Sequence, residues 1–272
     1  QSGIELARRG QAWRILGILH ALGAMIELTT GHITESLAHA QEAIRLGEHT
    51  RQPDLTALGR CRIGDIFARL ASPEEALTLY QRAEGMDDGS LWEMDRLLRS
   101  GVELCRLGQP EAGQTTIRQV LARAEEHGLG MIAIMGRFSL AAGYATTGDR
   151  RQACDLASQV CAETRQKAIK GWNLTACALL GELACQAGEE EMAWQHVHGA
   201  AGQASRLPDP WVEFNLHTCL SRIQATRDPV PSERQPRIET LLAELEANIR
   251  QASNEAVERA FQRFREITLG RR

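Results

Sequence analysis

Aromatic residues are scarce in this chain of 272 residues: five Trp, five Phe and two Tyr make up 4% of it. A core must then come mainly from Ala and Leu, which helices tolerate best. Lysine is nearly missing, with Lys167 and Lys170 alone among arginines, a usage that carries little weight for chemistry. Positive charge is not in excess. The net charge of -4 excludes a general attraction to nucleic acid or an anionic membrane. There is no uninterrupted apolar run of about 18 residues, so no transmembrane helix is expected, and the N-terminus lacks a signal-peptide pattern. Phosphate loops of the Gly-x-x-x-x-Gly-Lys-Ser/Thr type, His-Glu-x-x-His, Cys-x-x-Cys and Gly-x-Ser-x-Gly are all missing. The cysteines number seven and form no close sequence pairs, as expected for reduced, buried thiols in a cytoplasmic protein.

What is present is a repeat. Small residues inside apolar stretches recur at Ala24, Gly64, Gly101, Ala141, Gly181 and Ser221, spaced 40, 37, 40, 40 and 40. Gly31, Gly108, Gly148 and Gly188 each follow one of them by seven, with Ala71 in that place in the second unit. A third series is Ser36, Ala76, Ala112, Ala153 and Ala193, and a fourth is Trp13, Trp92, Trp172 and Trp211. Repeats of this length are the signature of stacked supersecondary units.

The physical reading is a helical hairpin. A first helix carries the small residue, so its partner approaches closely, and Gly ends the first helix and turns the chain. Each hairpin leaves an apolar face that the next one covers. First helices are expected near 11–29, 55–70, 91–107, 131–146, 171–187 and 210–226. Second helices are expected near 34–47, 74–84, 111–127, 150–167 and 190–205. All eight prolines fall in loops or first turns, where the missing N–H costs little. Ser72-Pro73-Glu74-Glu75 reads as an N-cap followed by Pro and an acidic first turn. After 227 the repeat stops. Ile238, Leu241, Leu242, Leu245 and Ile249 share one helical face, then Val257, Ala260, Phe261, Phe264 and Ile267 another. This final pair, within 227–272, is expected to cap the repeats of about 10–226.

The pattern resembles the tetratricopeptide repeat (TPR). Leu140, Ala141, Tyr144, Gly148 and Ala153 match its signature in one unit, and Ile63, Gly64, Phe67 and Ala76 match in another, with Tyr80 and Ala83 at later positions. The period departs from that family, being near 40 where TPR units repeat every 34. Longer units are similar to the TPR-like region of MalT-like transcription activators and of bacterial nucleotide cyclases and kinases that carry a STAND-type ATPase. The resemblance implies an all-α, right-handed solenoid of about six hairpins over residues 1–272. It also implies a sensor or regulatory arm and an ATP-binding parent protein. The chain begins within the pattern and without an initiating Met, so a fragment of something larger is expected. An independent cytoplasmic peptide receptor or scaffold is the alternative.

In such a superhelix the first helices line a concave groove, and positions beside the small residue face it. Those positions include Asp65, Arg69, Asp95, Arg106, Met135, Phe138, Glu182, Asn215 and Arg222, with Met25, Leu28 and Leu98. Their mixed character suits an extended peptide or helix held by charge pairing and a few apolar anchors. The implied partners are a protein or peptide ligand, other domains of the parent, or a second copy in a homodimer. No cofactor, metal, nucleic acid or membrane is expected, and no catalytic residues. Gly128-Leu129-Gly130 reads as a connecting turn, and Glu189, Glu190 and Glu191 as dipole-matching acids. His196 and His198, two apart, point to different helix faces. Cys154 with Cys161, and Cys177 with Cys185, are spaced to share helix faces and read as core packing. Arg259, Arg263, Arg265, Arg271 and Arg272 read as a solvated face.

Overall fold

A computed structural model describes residues 2–9, 11–83, 89–204, 206, 209–227 and 235–268. Among the described residues there are fourteen α-helices and no strand. They are α1 (Ser2–Arg9), α2 (Trp13–Thr29), α3 (Ile33–Thr50), α4 (Pro53–Arg69), α5 (Pro73–Gln81), α6 (Leu91–Arg106) and α7 (Pro110–Glu126). The series continues with α8 (Gly130–Thr147), α9 (Arg150–Gln166), α10 (Lys170–Gln186), α11 (Glu190–Ala204), α12 (Pro210–Arg227), α13 (Gln235–Gln251) and α14 (Glu255–Thr268). The chain is all-α, and the helices expected from the repeat have ends within about three residues of the expected ones. The short α1 has no counterpart in the pattern.

The turns explain the boundaries. Pro53, Pro73 and Pro110 stand at the first position of α4, α5 and α7, where the missing N–H has no intrahelical partner to lose. At the other end, Gly31, Gly108, Gly148 and Gly188 take left-handed φ values of 83°, 76°, 81° and 71°. Ala71, in the same place, is forced to φ 51°. The following amide closes the turn onto the helix it leaves, as in His32 N to Glu27 O (2.8 Å) and Ser72 N to Phe67 O (3.0 Å). Turns entering first helices reuse the device at Arg51 (φ 55°), Gly128 (φ 66°) and Ala168 (φ 56°). Ser72 does not cap α5 with its side chain. Its buried hydroxyl instead lies 3.4 Å from Leu70 O and accepts from Arg263 Nη2 at 3.2 Å.

The described chain divides into two compact units, residues 1–107 with 245–272, and residues 108–244. In the first, α2 to α6 each pack on the next, and α4 also touches α2 and α6. In the second, α7 to α12 do the same, and α10 also touches α8 and α12. Fully buried Leu16, Ile33, Leu46, Leu55 and Ile66 fill the first core, and Ile117, Ile134 and Leu174 the second. Each such side chain contributes roughly 1.5–3 kcal/mol over an exposed one.

Ala24, Gly64 and Gly181 sit at hairpin contacts. Ser36 Oγ donates to Ala24 O across 2.8 Å. A Cβ on Gly64 would lie 2.7 Å from Tyr80 Cε1, and one on Gly181 would collide with Val197 Cγ2. Ala141 is fully buried in one cluster with Ala157. Ser221 lies in α12, with its side chain outside the described residues. The third series needs one correction. Ala112 is exposed and Gly113 is buried, so Gly113 is the member that keeps the 37-residue step from Ala76.

In the tail, residues 245–272 group with the first unit. Thr34 N donates to Asn248 Oδ1 (2.9 Å), Arg263 pairs with Glu75 (2.6 Å), and α14 packs on α4. Ile267, expected on the apolar face, is 54% exposed.

Candidate functional site

The expected groove residues fall into three physical situations. In the first unit, Asp65 and Asp95 are buried, at 3% and 8% exposure, and do not line an open surface. Both are consumed by two arginines. Arg62 reaches Asp65 at 2.8 Å and Asp95 at 2.9 Å, and Arg99 reaches each of them at 2.9 Å. The Tyr80 hydroxyl donates to Asp65 Oδ1 at 2.9 Å. The Arg62 guanidinium also lies 5.9 Å from the centre of the Trp92 ring. Two cations and two anions thus close a ring that ties α4 and α6 together and reaches α5 through Tyr80.

Electrostatics follows from burial and pairing. Burial works against the charged form of Asp95, but Arg99 and Arg62 outweigh it and hold its carboxyl below the usual range. Arg99 and Arg62 are raised in turn by Asp65 and Asp95 against the opposing effect of burial. Burial, then the Asp65 charge, pushes the Tyr80 phenol well up. Burial pushes the neighbouring Cys61 thiol up to about 12. The ring is therefore a structural clamp in which each arginine compensates both carboxylates. Removing one member of such a set leaves a buried charge uncompensated, at a cost of about 3–5 kcal/mol.

The second situation is exposure. Arg69 and Arg106 stand at the last turns of α4 and α6 and face solvent. Arg106 Nη1 pairs with Glu103 at 2.9 Å and lies 3.5 Å from Ala68 O. Glu103 itself is buried, which raises its pKa while Arg106 opposes the rise. The same helices that carry the clamp inside carry these two cations outside.

The third situation is half-burial, in the second unit. Met135 and Phe138 are partly covered on α8, and Phe138 meets Trp172 edge-on at 5.4 Å. Glu182 accepts from Gln186 Nε2 at 3.1 Å and from Cys219 Sγ at 3.6 Å. Asn215 is exposed. Arg222 lies in α12 with its side chain outside the described residues.

Sequence reasoning missed Arg62, Arg99 and Tyr80. A signal existed: Arg62 and Arg99 each stand two residues before a small repeat residue, Gly64 and Gly101. The other sequence candidates resolve as local structure. Gly128 makes the turn into α8. His198 stacks on Trp194 at 4.3 Å. Arg259, Arg263 and Arg265 pair with Glu255, Glu75 and Glu246, while Arg271 and Arg272 lie outside the described residues. Among the described residues, no cluster of three His, Cys, Asp or Glu could hold a metal ion, and no helix is long and apolar enough to cross a membrane. No protein-family model matches the chain, and no curated protein matches it.

Proposed function

We propose that the chain is a non-catalytic interaction module that grips a protein or peptide ligand with the first helices of a TPR-like, right-handed α-solenoid. Two sets of contacts support the solenoid reading. Three hairpins close on a small residue, at Ala24 with Ser36, Gly64 with Tyr80 and Gly181 with Val197. Within each unit, first helices also meet one another, as α4 does with α2 and α6, and α10 with α8 and α12. On this reading the module serves as the sensor or regulatory arm of a signalling protein or transcription regulator, and its ligand is another protein or a neighbouring domain.

The observation that carries the binding surface is the contrast across α4 and α6. Their inward charges are locked in a closed ring. Their outward arginines, Arg69 and Arg106, are held by those fixed helices. Rigid presentation lowers the ordering cost of binding, and guanidinium groups suit carboxylates on an extended or helical segment. The test is a fluorescence-anisotropy titration of the chain against acidic, neutral and basic helical peptides. The acidic peptide is expected to bind best, and the Arg69→Glu/Arg106→Glu variant is expected to lose at least about ten-fold, the size of one charge-assisted contact. Equal binding of all three peptides, or an unchanged affinity in the variant, contradicts the assignment.

A further inference from the structure

In the second unit, Cys161 on α9 and Cys177 on α10 face each other with their sulfurs 3.5 Å apart. They stand on either side of the turn joining the two helices, 16 residues apart, so a search along single helix faces pairs them with the wrong partners. Cys161 Sγ is also approached by Asn173 Nδ2 at 3.4 Å and by Arg165 Nη2 at 3.8 Å. Arg165, Asn173 and Cys177, the three groups around that sulfur, all line one cavity of about 380 Å³, together with His196. That cavity brings a small polar oxidant to Cys177 and to the groups that surround Cys161.

We propose that Cys161 and Cys177 form a peroxide-reactive dithiol that converts to a disulfide across α9 and α10. The geometry asks for little. The sulfurs must close from 3.5 Å to a bond of about 2 Å, a move within reach of side-chain rotation on two packed helices. The environment also divides the roles. Arg165 and Asn173 both approach Cys161 Sγ, which favours its thiolate, so Cys161 is the attacking thiolate and Cys177 the resolving thiol. The contact with Cys177, then Arg165 and Asn173, lower Cys161 against the opposing effect of burial, while Cys177 is raised.

The chemistry balances with hydrogen peroxide as oxidant. The Cys161 thiolate attacks one peroxide oxygen. The S–O bond forms, the O–O bond breaks, and the leaving hydroxide takes a solvent proton to become water. Cys161 is now a sulfenic acid. The Cys177 sulfur attacks the Cys161 sulfur, the S–S bond forms, and the S–O bond breaks. The departing hydroxide leaves as water with the Cys177 proton. Two thiols are oxidised by two electrons and one peroxide is reduced to two waters.

The experiment treats the reduced chain with hydrogen peroxide and maps its peptides by mass spectrometry without reductant. The expected product is one crosslink joining Cys161 to Cys177, reversed by a thiol reductant. In Cys177→Ser the intermediate should persist as a dimedone-reactive sulfenic acid on Cys161. Cys161→Ser should slow peroxide consumption by about ten-fold or more, the gap between a thiolate and an ordinary thiol at neutral pH. Recovery of both cysteines as thiols, or a crosslink to Cys154 or Cys185 instead, overturns the proposal. The map of the unsubstituted chain decides this even where a variant fails to fold.

Discussion

In the first unit, the residues two places before Gly64 and Gly101 are Arg62 and Arg99, and the residue sixteen after Gly64 is Tyr80. In the second unit, the places two before Ala141 and Gly181 hold Ser139 and Leu179, and the places sixteen after hold Ala157 and Val197. One helical frame is thus closed in two ways. Tyr80, Arg62, Arg99, Asp65 and Asp95 form a hydrogen-bonded ring of charge. Ala157 and Val197 pack as plain side chains inside an apolar cluster that also holds Cys161 and Cys177. The lesson is about fragility. The charged closure depends on completeness, because each member compensates another. The apolar closure depends on volume, because Val197 occupies space that only Gly181 leaves open.

Substitutions can break that contrast. The largest effect is expected in the first unit: Arg62→Met should destabilise by about 3–5 kcal/mol in urea unfolding, since it leaves buried Asp65 and Asp95 with Arg99 alone and one charge uncompensated. Replacing Arg62, Asp65, Asp95 and Arg99 together with apolar residues should cost far less, because no charge is stranded. If the single change is harmless, the ring contributes nothing. A smaller effect is expected in the second unit, where Gly181→Ala should cost about 1–3 kcal/mol by overpacking against Val197. Adding Val197→Ala should recover part of that loss, and failure to recover would show that volume is not the issue.

Acid sharpens the comparison further. Burial, then the neighbouring His39, lowers His20 in the first unit, with Glu42, Arg8 and Arg45 also nearby. Burial lowers His196 in the second. A histidine depressed in the folded state is protonated first in the unfolded chain. Stability from both residues is therefore present above pH 6.5, their ordinary value, and lost as pH falls below it. Asp95 is also depressed, so its contribution is present above 3.8 and lost as pH falls further, in the first unit alone. Unfolding followed from pH 8 to pH 3 should show both units weakening first. His20→Gln should flatten the first step only in the first unit.

The smallest effects lie in the turns. Ala71→Gly and Ala168→Gly should each stabilise by about 0.5–1 kcal/mol, because left-handed backbone strains alanine more than glycine. Thermal melts of the two variants check this, and a loss of stability in either would mean the turn is not strained.

The helices were largely legible from sequence because Pro53, Pro73 and Pro110 mark their starts and Gly31, Gly108, Gly148 and Gly188 their ends. The third series slipped by one at Ala112 because a search for alanine passes over the adjacent Gly113, which is the buried residue. The site was much less legible. Asp65 and Asp95 look like groove residues until their partners are known, and Arg62 meets Asp95 across 33 residues of sequence. Spacing along one helix does not encode such pairings. The Cys161–Cys177 contact was hidden for the same reason, since the turn at Ala168 reverses the chain between them.

The charge ring is most directly tested by a double-mutant cycle across Arg62 and Asp95, using Arg62→Met, Asp95→Leu and the pair, measured by urea unfolding. A closed ring predicts that the double variant is more stable than the sum of the single losses by at least about 2 kcal/mol. Losses that add to within about 0.5 kcal/mol would mean that the two residues do not compensate one another, and the first unit would then be closed by packing alone.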